Sequence, residues 1–259
     1  MIQLYVILGS AGSGRREVVA DLVETSLAGS HVLLAATEAA APTDARLEAK
    51  AQVLRWSFDG EALCISELPA ECETLIMLLD GTADPVVQLE LLVEWLASHK
   101  DVELARIITV LNSRLLYETP NLKLWFDACI HFSDVVLFNK REDVPNKWFS
   151  DFTARFAKAC YPCMFEYVKN GHVRNPAQVV FPEALRMSLA FEPVDEKAAP
   201  DNADFLAESF DLGDDADEEL DDIENAGDEI EEPAVEPYFE RDLSGRYKIR
   251  LPDIGDYVK

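Results

Sequence analysis

The stretch from Ile2 to Arg16 reads IQLYVILGSAGSGRR, and it decides the fold predicted for this chain of 259 residues. Ile2–Leu8 is an apolar run of strand length, Gly9–Gly14 is a glycine-rich turn, and Arg15–Leu27 carries apolar residues at helical spacing. A buried strand that passes through glycines into a helix begins a βαβ unit. The sequence therefore predicts an α/β domain with a parallel sheet.

The rest of the chain repeats this alternation of apolar runs and helical segments. Further strands are predicted at His31–Ala35, Val53–Phe58, Thr74–Leu79, Arg106–Leu111, Asp134–Phe138 and Met164–Val168. Further helices are predicted at Val86–Ser98, Leu122–His131 and Lys147–Ala159. Residues 36–50 fit either a loop or a weak helix. About six strands, or seven with the weaker candidate Val53–Phe58, and their intervening helices predict a doubly wound, mostly parallel sheet.

Negative charge is concentrated in one segment. Residues 192–240 hold 21 acidic residues and one lysine, which accounts for −20 of the formal net charge of −26. Such a segment buries too little apolar surface to offset the entropy lost on ordering. We therefore expect a domain at residues 1–190, a disordered acidic linker at 191–237, and a short segment at 238–259. The short segment is either a docking motif or a frayed terminus.

Charge and the N-terminus disfavour several classes of function. A net charge of −26 argues against a nucleic acid partner, because phosphate repels a surface of this sign. The first apolar run ends after Leu8, too early for a signal peptide or a membrane span, so we expect a cytoplasmic protein without a membrane partner. Five cysteines do not form the even framework of a small secreted domain, and reduced thiols are expected.

The glycine-rich turn has the form of a P-loop. In a P-loop, backbone N–H groups cradle the α- and β-phosphates, a lysine reaches the β- and γ-phosphates, and a Ser/Thr hydroxyl ligates magnesium. The segment supplies the glycines in the required strand-to-helix context, at Gly9, Gly12 and Gly14, with Ser13 between the last two. Arg15 and Arg16 stand where the lysine and the hydroxyl are usual, so all six are expected to bind phosphate, with magnesium disfavoured and hydrolysis weak or lost. The alternative is a flexible turn followed by two surface arginines.

Three segments carry a family resemblance: GSAGSGRR at 9–16, GTADPVVQLE at 81–90 and DVVLFNKRED at 134–143. In this order and spacing they resemble the CobW family, relatives of the HypB and UreG metallocentre-assembly GTPases, over roughly residues 1–189. The resemblance implies a P-loop fold and GTP as the ligand. The family has an acid where Leu78 stands here. Asp80 is the nearest carboxylate, but it lies about 6.6 Å along the strand and is a weak metal candidate.

The resemblance also implies a guanine-binding site. Asn139 and Lys140 match the first two positions of Asn-Lys-x-Asp, and Glu142 keeps the carboxylate on a longer stem. The alternative is an ordinary polar exit from a strand. Of the family's Gly-Cys-x-Cys-Cys metal ligands only Cys64 is present, so zinc is not expected and Cys64 is predicted to be a buried small hydrophobe. The CxxC spacing of Cys160–Cys163 is assigned to packing.

These patterns predict a CobW-like GTP-binding protein with altered phosphate and magnesium residues. The main alternative is a non-catalytic scaffold that recruits a basic protein partner through the acidic tail. A working metallochaperone GTPase is a third reading. The nucleotide hypothesis requires that Gly9–Gly14 form an open anion-binding concavity, because a turn plugged by Arg15 and Arg16 would leave only a scaffold.

Overall fold

The computed structural model describes residues 1–58, 62–65, 68–192 and 236–258. Its strands are β1 (Ile2–Leu8), β2 (His31–Ala35), β3 (Gln52–Phe58), β4 (Leu63–Ile65), β5 (Thr74–Leu78), β6 (Val102–Asn112), β7 (Val135–Asn139), β8 (Met164–Lys169) and β9 (His172–Val173). Its helices are α1 (Arg15–Thr25), α2 (Asp44–Glu48), α3 (Pro85–Ser98), α4 (Ser113–Glu118), α5 (Lys123–His131), α6 (Asn146–Lys158) and α7 (Pro176–Val179). Short 3-10 turns lie at Pro120–Leu122 and Ile254–Asp256.

The strands form one mostly parallel sheet in the order β4-β3-β2-β5-β1-β6-β7-β8-β9. Strand β1 lies between β5 and β6 and pairs with both in parallel. Strands β4 and β9 are short antiparallel additions at the two ends. The prediction of a doubly wound α/β fold of the P-loop NTPase type is confirmed.

Both faces of the sheet are buried, which explains why β1 is apolar at nearly every position. Leu4, Val6 and Leu8 face one core, which α3, α5 and α6 also enter. Tyr5 and Ile7 face the opposite core, which α1 and α2 cover with Val18, Leu22 and Leu47 among others. Strand β1 is central in the sheet, so the glycine turn that follows it lies at the carboxyl edge of the sheet, at the start of α1.

Three local predictions require correction or completion. Cys64 is exposed and not buried, because β4 is an edge strand on which Leu63 points inward and its neighbour points out. Residues 36–50 contain α2, a helix of five residues. Strand β6 runs from Val102 to Asn112, longer at its start than the predicted strand.

The segment at 236–258 packs against α3 and the end of α5. The Phe239 ring stacks on Phe132 with centroids 5.4 Å apart, and Glu236 lies 2.8 Å from His131 Nε2. Ile254 is buried in the core on the same face. The predicted acidic linker at 191–237 falls, apart from its two ends, outside the described residues. None of the described helices has the length and apolarity to cross a bilayer.

Candidate functional site at the carboxyl edge of the sheet

The glycine turn adopts backbone angles that side chains disfavour. Gly9, Gly12 and Gly14 have φ of 130°, 73° and 89°, in the region where glycine has no steric penalty. A Cβ on Gly9 would lie 2.3 Å from the carbonyl oxygen of Val110, so the turn is pressed against β6 at that point. A Cβ on Gly12 would meet no atom within 4 Å. The turn is thus held tightly at its base and open at its tip.

Several polar groups of the turn are not satisfied within the protein. The hydroxyls of Ser10 and Ser13 are buried and have no hydrogen-bond partner in the part of the chain that the structure describes. Helix α1 starts after Gly14 without a side-chain cap among these residues. The first N–H groups of a helix have no intrahelical acceptor and carry the positive end of the helix dipole. The head of α1 can therefore still accept an anion through its backbone.

Arg15 does not point into an open phosphate site. Its guanidinium is only 4% exposed and donates to the carbonyl oxygen of Leu79 and to the carboxylate of Glu38. Gly81 lies directly against it, since a Cβ there would come within 2.3 Å of Arg15 Nη2. Both terminal nitrogens of Arg15 therefore already donate hydrogen bonds within the protein.

Arg16 is also buried and paired. Its Nη1 donates to the two carboxylate oxygens of Asp44 at 2.8 and 3.0 Å, and its Nη2 donates to Glu38 at 3.1 Å. The alternative of two surface arginines is therefore wrong. Buried guanidinium groups require such partners, because an uncompensated buried charge is strongly destabilising.

Glu38 and Asp44 were missed in the sequence. Both lie in residues 36–50, which carry no clear periodicity, and both reach α1 from more than twenty positions away. A signal was available in the adjacent arginines: two guanidinium groups at the first turn of a buried helix imply carboxylates nearby.

The carboxylate of Asp80 is hydrogen-bonded to residues of the neighbouring loops. Its carboxylate accepts hydrogen bonds from Thr37 Oγ1, from Thr82 N at 2.8 Å and from Thr82 Oγ1 at 2.7 Å. Burial raises its pKa, but these hydrogen bonds together with the charge of Arg15 outweigh burial, so the net pKa of Asp80 is lowered. The carboxylate is charged and already well hydrogen-bonded.

The residues present do not fit a magnesium site. Arg16 places a guanidinium where a ligating hydroxyl is usual, and Asp80 serves Thr37 and Thr82. Among the described residues, no group of three or more His, Cys, Asp or Glu is placed to hold a metal ion.

Of the CxxC pair, Cys163 is buried, and burial raises its pKa to about 12, so it stays a thiol.

The loop after β7 contacts the glycine turn through one residue. Asn139 Nδ2 donates to the carbonyl oxygen of Ser13 at 2.8 Å. A Cβ on Gly14 would lie 2.4 Å from that same nitrogen, which explains why glycine is required there. Lys140 and Glu142 are exposed on the same loop. The structure thus brings Asn139 to the glycine turn and leaves the other two predicted base-binding residues at the surface.

Together, the sheet order and the glycine turn at the head of α1 define an α/β fold of the P-loop type. Neither the protein-family models nor the curated proteins give a match. Among solved structures, the chain is similar to the Zn(II)-bound YjiA GTPase from E. coli, with 13% identity and a TM-score of 0.46. It is also similar to a Zn(II)-bound triple mutant of YjiA GTPase, with 13% identity and a TM-score of 0.48. Each alignment covers 70% of this chain and 61% of the other, so the chain spans less than two thirds of those proteins.

Proposed function

We propose that this chain is a CobW-like guanine-nucleotide-binding protein that binds without efficient hydrolysis. The observation that carries the proposal is the hydrogen bond from Asn139 to the Ser13 carbonyl, at 2.8 Å. It ties the loop expected to read the base to the loop expected to cradle the phosphates, so that one ligand can contact both. The unpartnered hydroxyls of Ser10 and Ser13 and the uncapped start of α1 support the same reading.

Loss of hydrolysis follows from the electrostatics. Phosphoryl transfer requires cations that stabilise charge developing on the terminal phosphate. Here the charges of Arg15 and Arg16 are balanced by Glu38 and Asp44, and the residues present do not fit magnesium. Backbone N–H groups at a helix start hold phosphate without a metal. Binding can therefore persist where catalysis does not.

Calorimetric titration of the full chain with GDP, with and without magnesium, tests the proposal. We expect saturable binding of GDP that magnesium does not change, and no phosphate release from GTP above the blank. Asn139→Ala removes the tie between the loops and should weaken GDP binding about tenfold or more. The matched control is Asn146→Ala, because Asn146 is an exposed asparagine a short distance along the chain.

Three results would count against this function. If no nucleotide gives a heat of binding, the proposal of nucleotide binding is wrong. Strong dependence on magnesium would contradict the role given to Arg16. Equal effects of Asn139→Ala and Asn146→Ala would show that the loop contact has no part in binding.

A non-catalytic scaffold is the second candidate, and the internal pairing of Arg15 and Arg16 favours it. A loop whose cations are neutralised has less attraction for any phosphate. In this case the acidic segment recruits a basic partner. Replacing the Asp and Glu of residues 193–235 by Asn and Gln should abolish binding of a lysine-rich peptide and leave GDP titration unchanged. Peptide binding without any nucleotide binding would favour the scaffold.

A further inference from the structure

The carboxylate of Glu38 occupies the centre of an anion-binding arrangement. It accepts hydrogen bonds from Arg15, from Arg16 at 3.1 Å and from the backbone N–H of Gly81 at 3.0 Å. These donors come from the start of α1 and from the loop after β5. Two guanidinium groups and a backbone N–H that converge on one carboxylate are the donor set that a phosphoryl group uses.

This arrangement lies on the terminal-phosphate side of the predicted nucleotide site. In a P-loop the backbone N–H groups hold the α- and β-phosphates, and the residue at the position of Arg15 reaches the β- and γ-phosphates. Arg15 is held by Leu79 and Glu38, and the N–H of Ala11 already donates to the Gly81 carbonyl at 2.8 Å. The donors suited to a third phosphate are therefore in use.

The side for the first two phosphates is different. Gly12 faces open space, and the first N–H groups of α1 have no side-chain cap in the described structure. A diphosphate can bind there without breaking the pairs of Glu38. A triphosphate must displace the Glu38 carboxylate or place its own negative charge beside it, and like charges brought together disfavour binding.

We propose that Glu38 is a built-in anion that makes this site selective for nucleoside diphosphates over triphosphates. The inference rests on the proposed function, because it concerns the same site. Specificity of this kind arises from a repulsive group that acts against the wrong ligand. Glu38 is then a specificity-determining residue, and its side chain, 11% exposed, is held in place by the two arginines.

The test is calorimetric titration of the full chain with GDP and GTP in the absence of magnesium, for wild type, Glu38→Gln and Glu24→Gln. We expect wild type to bind GDP at least about tenfold more tightly than GTP. Glu38→Gln should bring GTP to within about threefold of GDP, because the amide keeps the shape and removes the charge. Glu24→Gln is the control, since Glu24 pairs with Arg46 near the far end of α1 and carries the same charge. It should keep the wild-type preference.

The outcomes separate this inference from the proposed function. If wild type binds GTP as tightly as GDP, or if Glu38→Gln leaves the ratio unchanged, the inference is wrong while nucleotide binding stands. If no protein binds either nucleotide, the proposed function is wrong and the inference with it. If Glu38→Gln does not give a cooperative melting curve, the ratio of the GTP and GDP dissociation constants of wild type tests the inference, and a ratio near one would overturn it.

Discussion

The two loops that meet at the carboxyl edge of the sheet use their charges in opposite ways. In the segment proposed to bind phosphate, residues 9–16, which we call the phosphate loop, Arg15 and Arg16 are buried and paired with Glu38 and Asp44. In the segment after β7 proposed to bind the base, residues 139–142, which we call the base loop, Lys140 and Glu142 are exposed. The same edge therefore holds a charged cluster that belongs to the fold and a charged surface that is available to a ligand. Whether a charged side chain stabilises the fold or can bind a ligand thus depends on its burial as well as on its charge.

The largest expected effect comes from restoring the usual P-loop residues. The double variant Arg15→Lys, Arg16→Ser leaves the half-buried Glu38 with one cation where there were two. The buried Asp44 keeps only Arg55, whose Nη2 lies 3.8 Å from its carboxylate. Breaking buried pairs costs about 3–5 kcal/mol, so we expect the free energy of unfolding to fall by that amount. Urea unfolding followed by circular dichroism measures it.

The matched control makes a double change in the base loop, Lys140→Ser with Glu142→Gln. Both residues are exposed, so the free energy of unfolding should stay within about 0.5 kcal/mol of wild type. Equal losses in the two double variants would break the comparison between the loops. If the Arg15→Lys, Arg16→Ser protein is as stable as wild type, the buried ion pairs contribute little to the fold, contrary to this comparison.

A smaller effect is expected where the phosphate loop packs on the loop after β5. In Gly81→Ala, the new methyl group would lie 2.3 Å from Arg15 Nη2 and 2.4 Å from the backbone nitrogen of Ala11. Overpacking of this kind costs about 2–3 kcal/mol, which chemical denaturation would measure. Gly12→Ala is the control: its methyl group meets open space, and only the positive φ of 73° costs about 1 kcal/mol. A larger loss in Gly12→Ala would contradict the packing.

The sequence predicted the elements whose patterns are local. Strand β1 and the start of α1 were placed at their observed positions, because seven apolar residues and the glycine turn leave little choice. Strands β4 and β9 were not predicted, since two or three residues are too few to show a period. Cys64 was assigned to the core because edge position cannot be read from a single strand.

The site divides in the same way. Asn139 was found because a motif marks it, whereas its contact with Ser13 depends on how the loops after β1 and β7 meet. Glu38 and Asp44 carry no motif, and their pairing with α1 requires the tertiary fold. The charge of the arginines could be read from sequence, but what neutralises it could not.

The smallest effect is expected for two carboxylates between β5 and α3, Asp80 and Asp84. The pKa of Asp80 is lowered from its ordinary value of 3.8, because hydrogen bonds from Thr37 and Thr82 outweigh burial. The pKa of Asp84 is raised from the same value, since burial outweighs the hydrogen bonds from the backbone of Val86 and Val87. The two groups should therefore change the stability with opposite slopes as the pH falls.

Asp80 contributes stability that is fully present above pH 3.8 and is lost as the pH falls through its lower folded value. In Asp80→Asn, the loss relative to wild type, about 1 kcal/mol at pH 6, should shrink on acidification. Asp84 has a higher pKa in the folded than in the unfolded protein, so its protonation favours folding. The free energy of unfolding of wild type should therefore rise relative to that of Asp84→Asn as the pH falls through the raised pKa. Urea unfolding at pH 6, 4.5, 3.5 and 2.5 measures both differences, since the contribution of Asp80 is lost only below pH 3.8. Slopes of the same sign would show that the hydrogen bonds around Asp80 do not hold it as a charged group, and the loop after β5 would then carry less fixed charge than its geometry implies.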